Sequence, residues 1–327
     1  MSQPDSIKKV LVIQYSQSGQ LTALTRQMLG PLAADAQIAV HTETLVPVLP
    51  FPFPWSFFSF LDAFPESAHL VPPALAPLSL RGDEDFDLII LPYQVWFLAP
   101  SQPICAFLKN PVAQRLLRGK PVVTVIACRN MWLCAHQKMQ TLLATAGARQ
   151  IDNVVLTDPG PTWATFITTP WWMLTGNKAG PSGLSGLLGL PAAGLNEAQI
   201  GGARRFGLAL RAGLAQGRER EPAPLLAGLA AVCVEPRLYI SELAGTRSFH
   251  LWGKLLLAAG PPGSRQRLPL LALYAVFLVL MILTVVPTSL ALQAVLRPLM
   301  RGWLARIKAR FELPSGSSTQ TMPSHEE

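Results

Sequence analysis

The stretch Lys9-Val-Leu-Val-Ile-Gln-Tyr15-Ser16-Gln17-Ser18-Gly19-Gln20, running on into Leu21-Thr-Ala-Leu-Thr-Arg-Gln-Met-Leu29, decides the fold. A short β-branched run ends in a Ser/Gly turn and passes into apolar residues at helical spacing, which reads as strand, tight loop, helix. Further strand patterns at Ile38 to Thr44, Phe86 to Leu91, Val122 to Ala127 and Val154 to Thr157 alternate with helix-compatible segments such as Pro103 to Leu117 and Trp132 to Ala146. Strands alternating with helices imply a parallel sheet covered on both faces. Five of them within roughly 160 residues suit a doubly wound α/β domain, expected over 1–175.

Beyond that domain, residues 176–198 are rich in Gly, Pro, Leu and Ser and read as a linker, and 199–264 as a small helical extension. Half of the 327 residues are hydrophobic and only 14% are charged, against about 25% in soluble domains. A disordered chain is excluded, and the mean hydropathy of +0.32 places part of the protein in a membrane. The segment 268–292 carries no charged side chain. As a helix it would measure roughly 37 Å, enough to cross a hydrocarbon layer of about 30 Å once. Residues 293–311 follow with apolar residues at helical spacing among Arg297, Arg301, Arg306, Lys308 and Arg310, the pattern of a basic interfacial helix, and 312–327 read as a flexible tail. Basic residues flank the apolar segment on both sides, and Pro287-Thr288-Ser289 offers a break, so a transmembrane and a re-entrant path both remain open.

The net charge of +8 and pI near 9.6 fit anionic lipid; the basic residues gather beside the apolar segment and no nucleic-acid motif accompanies them, which excludes nucleic acid as partner. Cys105, Cys128, Cys134 and Cys233 are too scattered for a disulfide framework or a metal site, which implies a reducing compartment. The polar start Met1 to Ser6 leads straight into a strand pattern, so the first domain is expected on the cytoplasmic side.

The loop Ser16 to Gln20 supplies hydroxyls and backbone N–H groups at a helix N-terminus, where the macrodipole also favours an anion. This loop resembles that of the flavodoxin-like superfamily, in which the FMN phosphate sits in a Ser/Thr-x-Thr/Ser-Gly-x-Thr turn after strand one. Ser16, Ser18 and Gly19 match; Leu21 stands where the last Thr is expected, with Thr22 beside it. A second block, Asp87-Leu-Ile-Ile-Leu-Pro-Tyr93-Gln94-Val95-Trp96-Phe97-Leu98-Ala99-Pro100, with Pro103 and Phe107-Leu108 after it, is similar to the strand-three flavin loop of quinone and flavin reductases. More closely, Pro50-Phe-Pro-Phe-Pro-Trp55, Leu61-Asp-Ala-Phe-Pro-Glu-Ser67, Tyr93-Gln-Val-Trp96 and Ala127-Cys-Arg-Asn-Met-Trp132 resemble the bacterial dialkylresorcinol condensing enzymes.

The resemblance implies a flavodoxin-like five-stranded sheet and an FMN-dependent oxidoreductase at the bacterial inner membrane. Such a protein would oxidise a lipid-like cyclic dione, made by a partner ketosynthase, to a dialkylresorcinol; a homodimer is a further expectation. In a doubly wound sheet the loops beyond the carboxyl ends of the strands converge. FMN is therefore expected against Ser16, Gln17, Ser18, Gly19, Gln20 and Thr22 from the first loop, Tyr93, Gln94, Trp96 and Phe97 from the second, and Cys128, Arg129 and Asn130 from the third. Trp96 or Tyr93 would stack on the flavin, Arg129 would hold a substrate carboxylate or an anionic reduced flavin, and His136 would remove a proton. Catalytic roles are thus expected for Arg129 and His136, while Cys128 reads as a buried inert thiol. Two aromatic stretches, Phe51 to Phe64 and Trp163 to Leu174, are candidates for an acyl-chain channel. A generic NAD(P)H-dependent quinone or flavin reductase, and a flavin-free scaffold that tethers a ketosynthase, remain as alternatives.

Overall fold

A computed structural model describes residues 7–295 and 297–318; the polar start read at Met1 to Ser6 and residues 319–327 of the expected tail lie outside them. The strands are β1 (Lys8–Gln14), β2 (Ile38–Thr44), β3 (Leu88–Tyr93), β4 (Val95–Trp96), β5 (Ala99–Pro100), β6 (Pro121–Cys128) and β7 (Arg149–Thr157). The helices are α1 (Gln20–Ala33), α2 (Phe57–Asp62), α3 (Phe64–Ala68), α4 (Gln102–Lys109), α5 (Pro111–Leu117), α6 (Leu133–Thr145) and α7 (Thr162–Thr175). After them come α8 (Leu184–Leu188), α9 (Glu197–Gly202), α10 (Arg204–Ala215), α11 (Leu238–Ala259), α12 (Leu268–Val295) and α13 (Arg297–Glu312).

Five parallel strands form one sheet in the order β2-β1-β3-β6-β7, the flavodoxin-like doubly wound arrangement. The antiparallel pair β4–β5 is a separate small ribbon. The sheet grows from β1 in both directions, so right-handed crossovers put α1 on one face and α4, α5 and α6 on the other. That double cover explains why β3 is buried along its whole length and reads as an unbroken apolar run rather than an alternating one.

The helical segment expected over 199–264 is not a separate extension. Phe206, Leu210 and Leu214 of α10 belong to the main core, and α10 approaches α1 so closely that a Cβ at Gly207 would stand 1.9 Å from the Met28 carbonyl oxygen. Nor is 176–198 a free linker. Leu190, Ala193 and Leu195 are buried, and the Ala193 N–H donates to the Lys178 carbonyl at 2.8 Å. The apolar residues that made this stretch look like low-complexity sequence are what dock it.

Residues 312–318 are likewise held. The buried carboxylate of Asp152 in β7 accepts from the Ser315 hydroxyl at 2.7 Å and from the Leu225 and Leu226 N–H groups at 2.8 and 3.2 Å, and Asn153 N–H donates to Ser315 Oγ at 2.7 Å. Burial raises the Asp152 pKa to about 6 despite these bonds. The C-terminal part of the apolar stripe of α13, expected at a lipid interface, faces protein: Ile307 and Phe311 are buried in the main core with Trp303 packed against it, while Leu299 is exposed.

Among the described residues one helix, over Arg265–Ser289, is long and apolar enough to cross a membrane; its most apolar 18-residue window has mean hydropathy 2.7 and is 12% buried. It runs antiparallel to α11. Trp252 packs on Tyr274 and Phe277 with ring centroids 5.5 and 5.1 Å apart, and the Ser241 and Ser289 hydroxyls meet at 3.1 Å.

The α1–α10 contact leads to a matched pair of substitutions. Gly207→Ala forces the two helices apart and is expected to destabilise by about 1–3 kcal/mol or more. Gly201→Ala, on α9 with open space around it, is expected to be neutral or to stabilise by up to about 1 kcal/mol. Thermal unfolding of the two variants checks the difference.

Candidate functional site

Because the crossover after β1 runs toward β2 and the one after β3 runs toward β6, the loops after β1 and β3 part and leave a crevice at the carboxyl rim of the sheet. A cavity of about 200 Å³ lies there. Gln17, Ser18 and Gln20 line it from the β1 loop, Gln94, Trp96 and Phe97 from the β3 loop, and Cys128 and Arg129 from the β6 loop. The three loops expected to converge therefore do so.

The β1 loop enters α1 through Gly19, whose φ of 79° lies in the left-handed region. The fourteen-residue helix α1 starts with no side-chain cap and no acidic residue in its first turn, which leaves its N-terminal N–H groups free for an anion. Gln17 braces the loop: its Oε1 accepts from Tyr15 Oη at 2.5 Å and its Nε2 donates to the Phe51 carbonyl at 3.0 Å. Thr22, beside Leu21, is held by Gln14, whose Nε2 donates to its Oγ1 at 2.8 Å.

The β3 loop is a hairpin whose tip residues, Phe97 and Leu98, both have positive φ, 49° and 58°. Such non-glycine turns cost on the order of 1–3 kcal/mol per residue and persist only where packing holds them. Here Phe97 is gripped by Phe60, Phe64 and Phe249 at centroid distances of 5.1, 5.8 and 6.0 Å. The same hairpin sets Trp96 into an aromatic nest, 4.9 Å from Phe51, 5.7 Å from Trp55 and 6.1 Å from Tyr15.

Arg129 is the cation of the site. Its guanidinium lies 4.0 Å over the Phe166 ring, and no carboxylate among the described residues comes within ion-pair distance of it. It exposes part of its surface, but that surface lines the cavity, and burial lowers its pKa to about 10. Even so it stays charged at neutral pH. The neighbouring Cys128 thiol is pushed up by burial, so it carries no thiolate at neutral pH and remains inert.

Two further segments close the cavity. Trp55 and Phe60 come from the aromatic stretch after β2, and Thr169, Trp172 and Met173 from α7, so both stretches singled out for their aromatic content reach the site. The Trp55 N–H donates to the Met173 carbonyl at 2.8 Å and ties the two together. Asp158 and Gly194 also line the cavity, and nothing in local spacing marks either one. Asp158 Oδ2 accepts from the Gly194 N–H at 2.6 Å and Oδ1 from the Gly160 N–H at 2.8 Å. Gly194, at φ +85°, holds a backbone conformation that disfavours a side chain, and a Cβ there would stand 2.6 Å from Gln20 Nε2 and 3.0 Å from the Trp172 ring.

Not every expected residue reaches the cavity. Ser16, Gly19, Thr22 and Asn130 stand in or beside the converging loops without lining it. Tyr93 points into the core, fully buried, and is no stacking partner; its hydroxyl lies 3.4 Å from His136 Nδ1. His136 is also fully buried, edge-on to Trp132 at 5.5 Å, because the fourth position of α6 faces the sheet. It is a core histidine outside the cavity.

Several polar atoms here lack partners. Gln94 Oε1 and Thr169 Oγ1 in the cavity wall, and Ser16 Oγ and Asn130 Oδ1 in the adjoining loops, are buried with no hydrogen bond among the described residues. A buried unpaired acceptor or hydroxyl costs about 1–3 kcal/mol, a cost that a ligand meeting Gln94 Oε1 and Thr169 Oγ1 would offset.

No protein-family profile and no curated protein matches this chain. Among solved structures, a flavoprotein from Lactobacillus acidophilus NCFM in complex with FMN is 16% identical, aligning 45% of this chain with 93% of that one at a TM-score of 0.37. A flavodoxin from the domain Archaea is 8% identical over 63% of this chain and 99% of that one, with a TM-score of 0.32. A flavone reductase is 11% identical over 65% of each chain, also at 0.32.

The buried imidazole has a measurable consequence. Burial lowers the His136 pKa to about 4, so the folded state binds fewer protons than the unfolded state below the unperturbed value of 6.5. Its contribution is complete above pH 6.5 and is lost as pH falls toward 4, by about 3 kcal/mol. His136→Phe abolishes this titration. The stability gap between wild type and variant, read by urea unfolding, is expected to narrow from neutral pH down to about pH 4; a constant gap would place a solvated, freely titrating imidazole at this position.

Proposed function

We propose that the chain binds FMN at the β1/β3 crevice and acts as a membrane-attached oxidoreductase on a hydrophobic cyclic dione. The observation that carries this reading is the cluster of unpartnered buried polar atoms around Gln94 and Thr169, set between an uncapped helix N-terminus and an unpaired arginine. The residues suit the group. The N–H groups of Ser18 to Gln20, with Ser16 and Ser18 hydroxyls, would hold the phosphate; Gln94 and Asn130 would meet the polar edge of the ring system, and Trp96 would flank it. Leu21 removes one hydroxyl from this set.

Bound FMN supplies a two-electron acceptor for a hydride. The substrate class follows from Arg129 and the aromatic wall. A cyclic 1,3-dione is a vinylogous acid, so near neutral pH it is an enolate whose charge is spread over two oxygens, and a planar guanidinium suits it. Loss of a ring hydride from that enolate leaves a neutral dienone. Shift of a ring proton to oxygen then gives the resorcinol, so two hydrogens leave the dione overall and no buried histidine is needed. Alkyl chains on the ring would lie against Trp55, Phe60 and Trp172. The resemblance to dialkylresorcinol condensing enzymes supports this substrate class, with a ketosynthase as its source.

The test is anaerobic mixing of the FMN-loaded full chain with a 2,5-dialkylcyclohexane-1,3-dione. Bleaching of the flavin band with formation of the resorcinol, identified by mass, is expected. Bleaching by NAD(P)H alone, with the dione unchanged, would assign a generic reductase instead. Arg129→Gln is expected to weaken dione binding roughly 10- to 100-fold, the worth of a charge-assisted hydrogen bond, while FMN uptake persists.

A further inference from the structure

We infer that the protein attaches to one leaflet of an anionic phospholipid bilayer through the outer faces of α11 and α12, with both ends of α12 on the same side of the membrane. This deepens the membrane attachment proposed above and is independent of the cofactor. The start of α12 is fixed to the α/β body. Arg267, immediately before it, is 1% exposed and is held by Glu66 at 2.7 Å, Asp62 at 3.2 Å and the Gly260 carbonyl at 2.7 Å. About two turns on, Tyr274 stacks on Phe64 at 4.2 Å.

The far end of α12 is fixed to the same body. Ser289 meets Ser241 in the first turn of α11. The chain then returns through α13, where Phe311 packs on Tyr239 and Trp132 at 5.4 and 6.1 Å, before Ser315 bonds to Asp152 in the sheet. Between these anchors α11 is pressed onto the domain: a Cβ at Gly245 would stand 3.0 Å from Leu98, one at Gly253 2.9 Å from His69, and Glu242 Oε2 accepts from the Cys134 N–H at 2.7 Å. If α12 crossed the bilayer, α11 with Arg247 and Lys254, and the sheet domain behind it, would enter hydrocarbon. Charged groups there cost several kcal/mol each, so the crossing path is closed.

What remains is an apolar face with a cationic rim. Leu251 and Leu255 on α11, and Leu273, Val276, Leu280 and Leu283 at helical spacing on α12, are all exposed. Lys254 and Arg265 lie at one end and Arg301 and Arg306 beyond the other, none of them within ion-pair distance of a carboxylate among the described residues. A second copy laid on this face would set cation against cation at both ends; anionic head groups neutralise both at once. Phe60 and Phe97, which line the cleft, also pack in the cluster of Leu271 and Tyr274 at the root of α12, so the cleft stands beside the leaflet. A lipid-like substrate would pass from leaflet to cleft without crossing water.

The test uses the full chain reconstituted into sealed vesicles of phosphatidylcholine and phosphatidylglycerol. Lys254→Cys and Lys308→Cys, before and after α12, are introduced one at a time into a chain carrying Cys233→Ser, and labelling of that parent chain gives the background from Cys105, Cys128 and Cys134. A membrane-impermeant maleimide is expected to label both from the same face at similar yield; labelling from opposite faces overturns the inference. Leu273→Glu with Leu280→Glu, on exposed positions, is expected to reduce flotation with vesicles at least tenfold. Unchanged flotation of that variant, or a chain that pairs through this face and does not float, equally overturns it. FMN content measured in each variant keeps the two readings apart, since vesicle binding can fail with flavin retained and the reverse.

Discussion

A parallel sheet that grows both ways from one strand cannot cover its own carboxyl rim at that strand. The crossover through α1 leaves β1 toward β2 and the one through α4 and α5 leaves β3 toward β6, so the two loops part at the rim between β1 and β3. Every feature of the cleft answers this constraint. The β1 loop presents backbone N–H groups there, the β3 loop a strained aromatic hairpin, and the β6 loop an arginine with no carboxylate partner among the described residues.

The gap is closed with material from elsewhere in the chain. The aromatic segment after β2 and helix α7 form one wall, and the Gly/Pro-rich segment after α7 forms another, joined by the Asp158 carboxylate to the end of β7. Phe97 and Leu98 hold left-handed backbone because Phe60, Phe64 and Phe249 pack the tip of their turn. The cation of Arg129 sits beside an aromatic ring in low-dielectric surroundings, where an incoming anion is bound more strongly than in water.

The sheet was legible because its strands are short, β-branched and punctuated by turn residues, and the first loop because Ser16, Ser18 and Gly19 stand at the one place where such a turn meets a helix. Strand ends were less so: β3 begins two residues after the expected Phe86, since a buried strand carries no alternation to mark its limits. Asp158 and Gly194 escaped because their roles arise from a hydrogen bond across 36 positions of chain. His136 misled because a histidine after a flavin-like loop has the same sequence signature whether its helix turns it toward ligand or core. The stripe of α13 is ambiguous for a similar reason, since protein interior and lipid select the same apolar spacing. Composition alone made 176–198 look like a linker, although Leu190, Ala193 and Leu195 are core residues.

The arrangement proposed is a flavin site at the switch point, with the cleft beside the root of α12. Its central claim is that the crevice takes FMN. Titration of the folded, flavin-stripped chain with FMN, following flavin fluorescence, tests this most directly. Quenching that saturates near one FMN per chain is the result the arrangement requires; a folded chain that leaves the fluorescence of added FMN unchanged would contradict it.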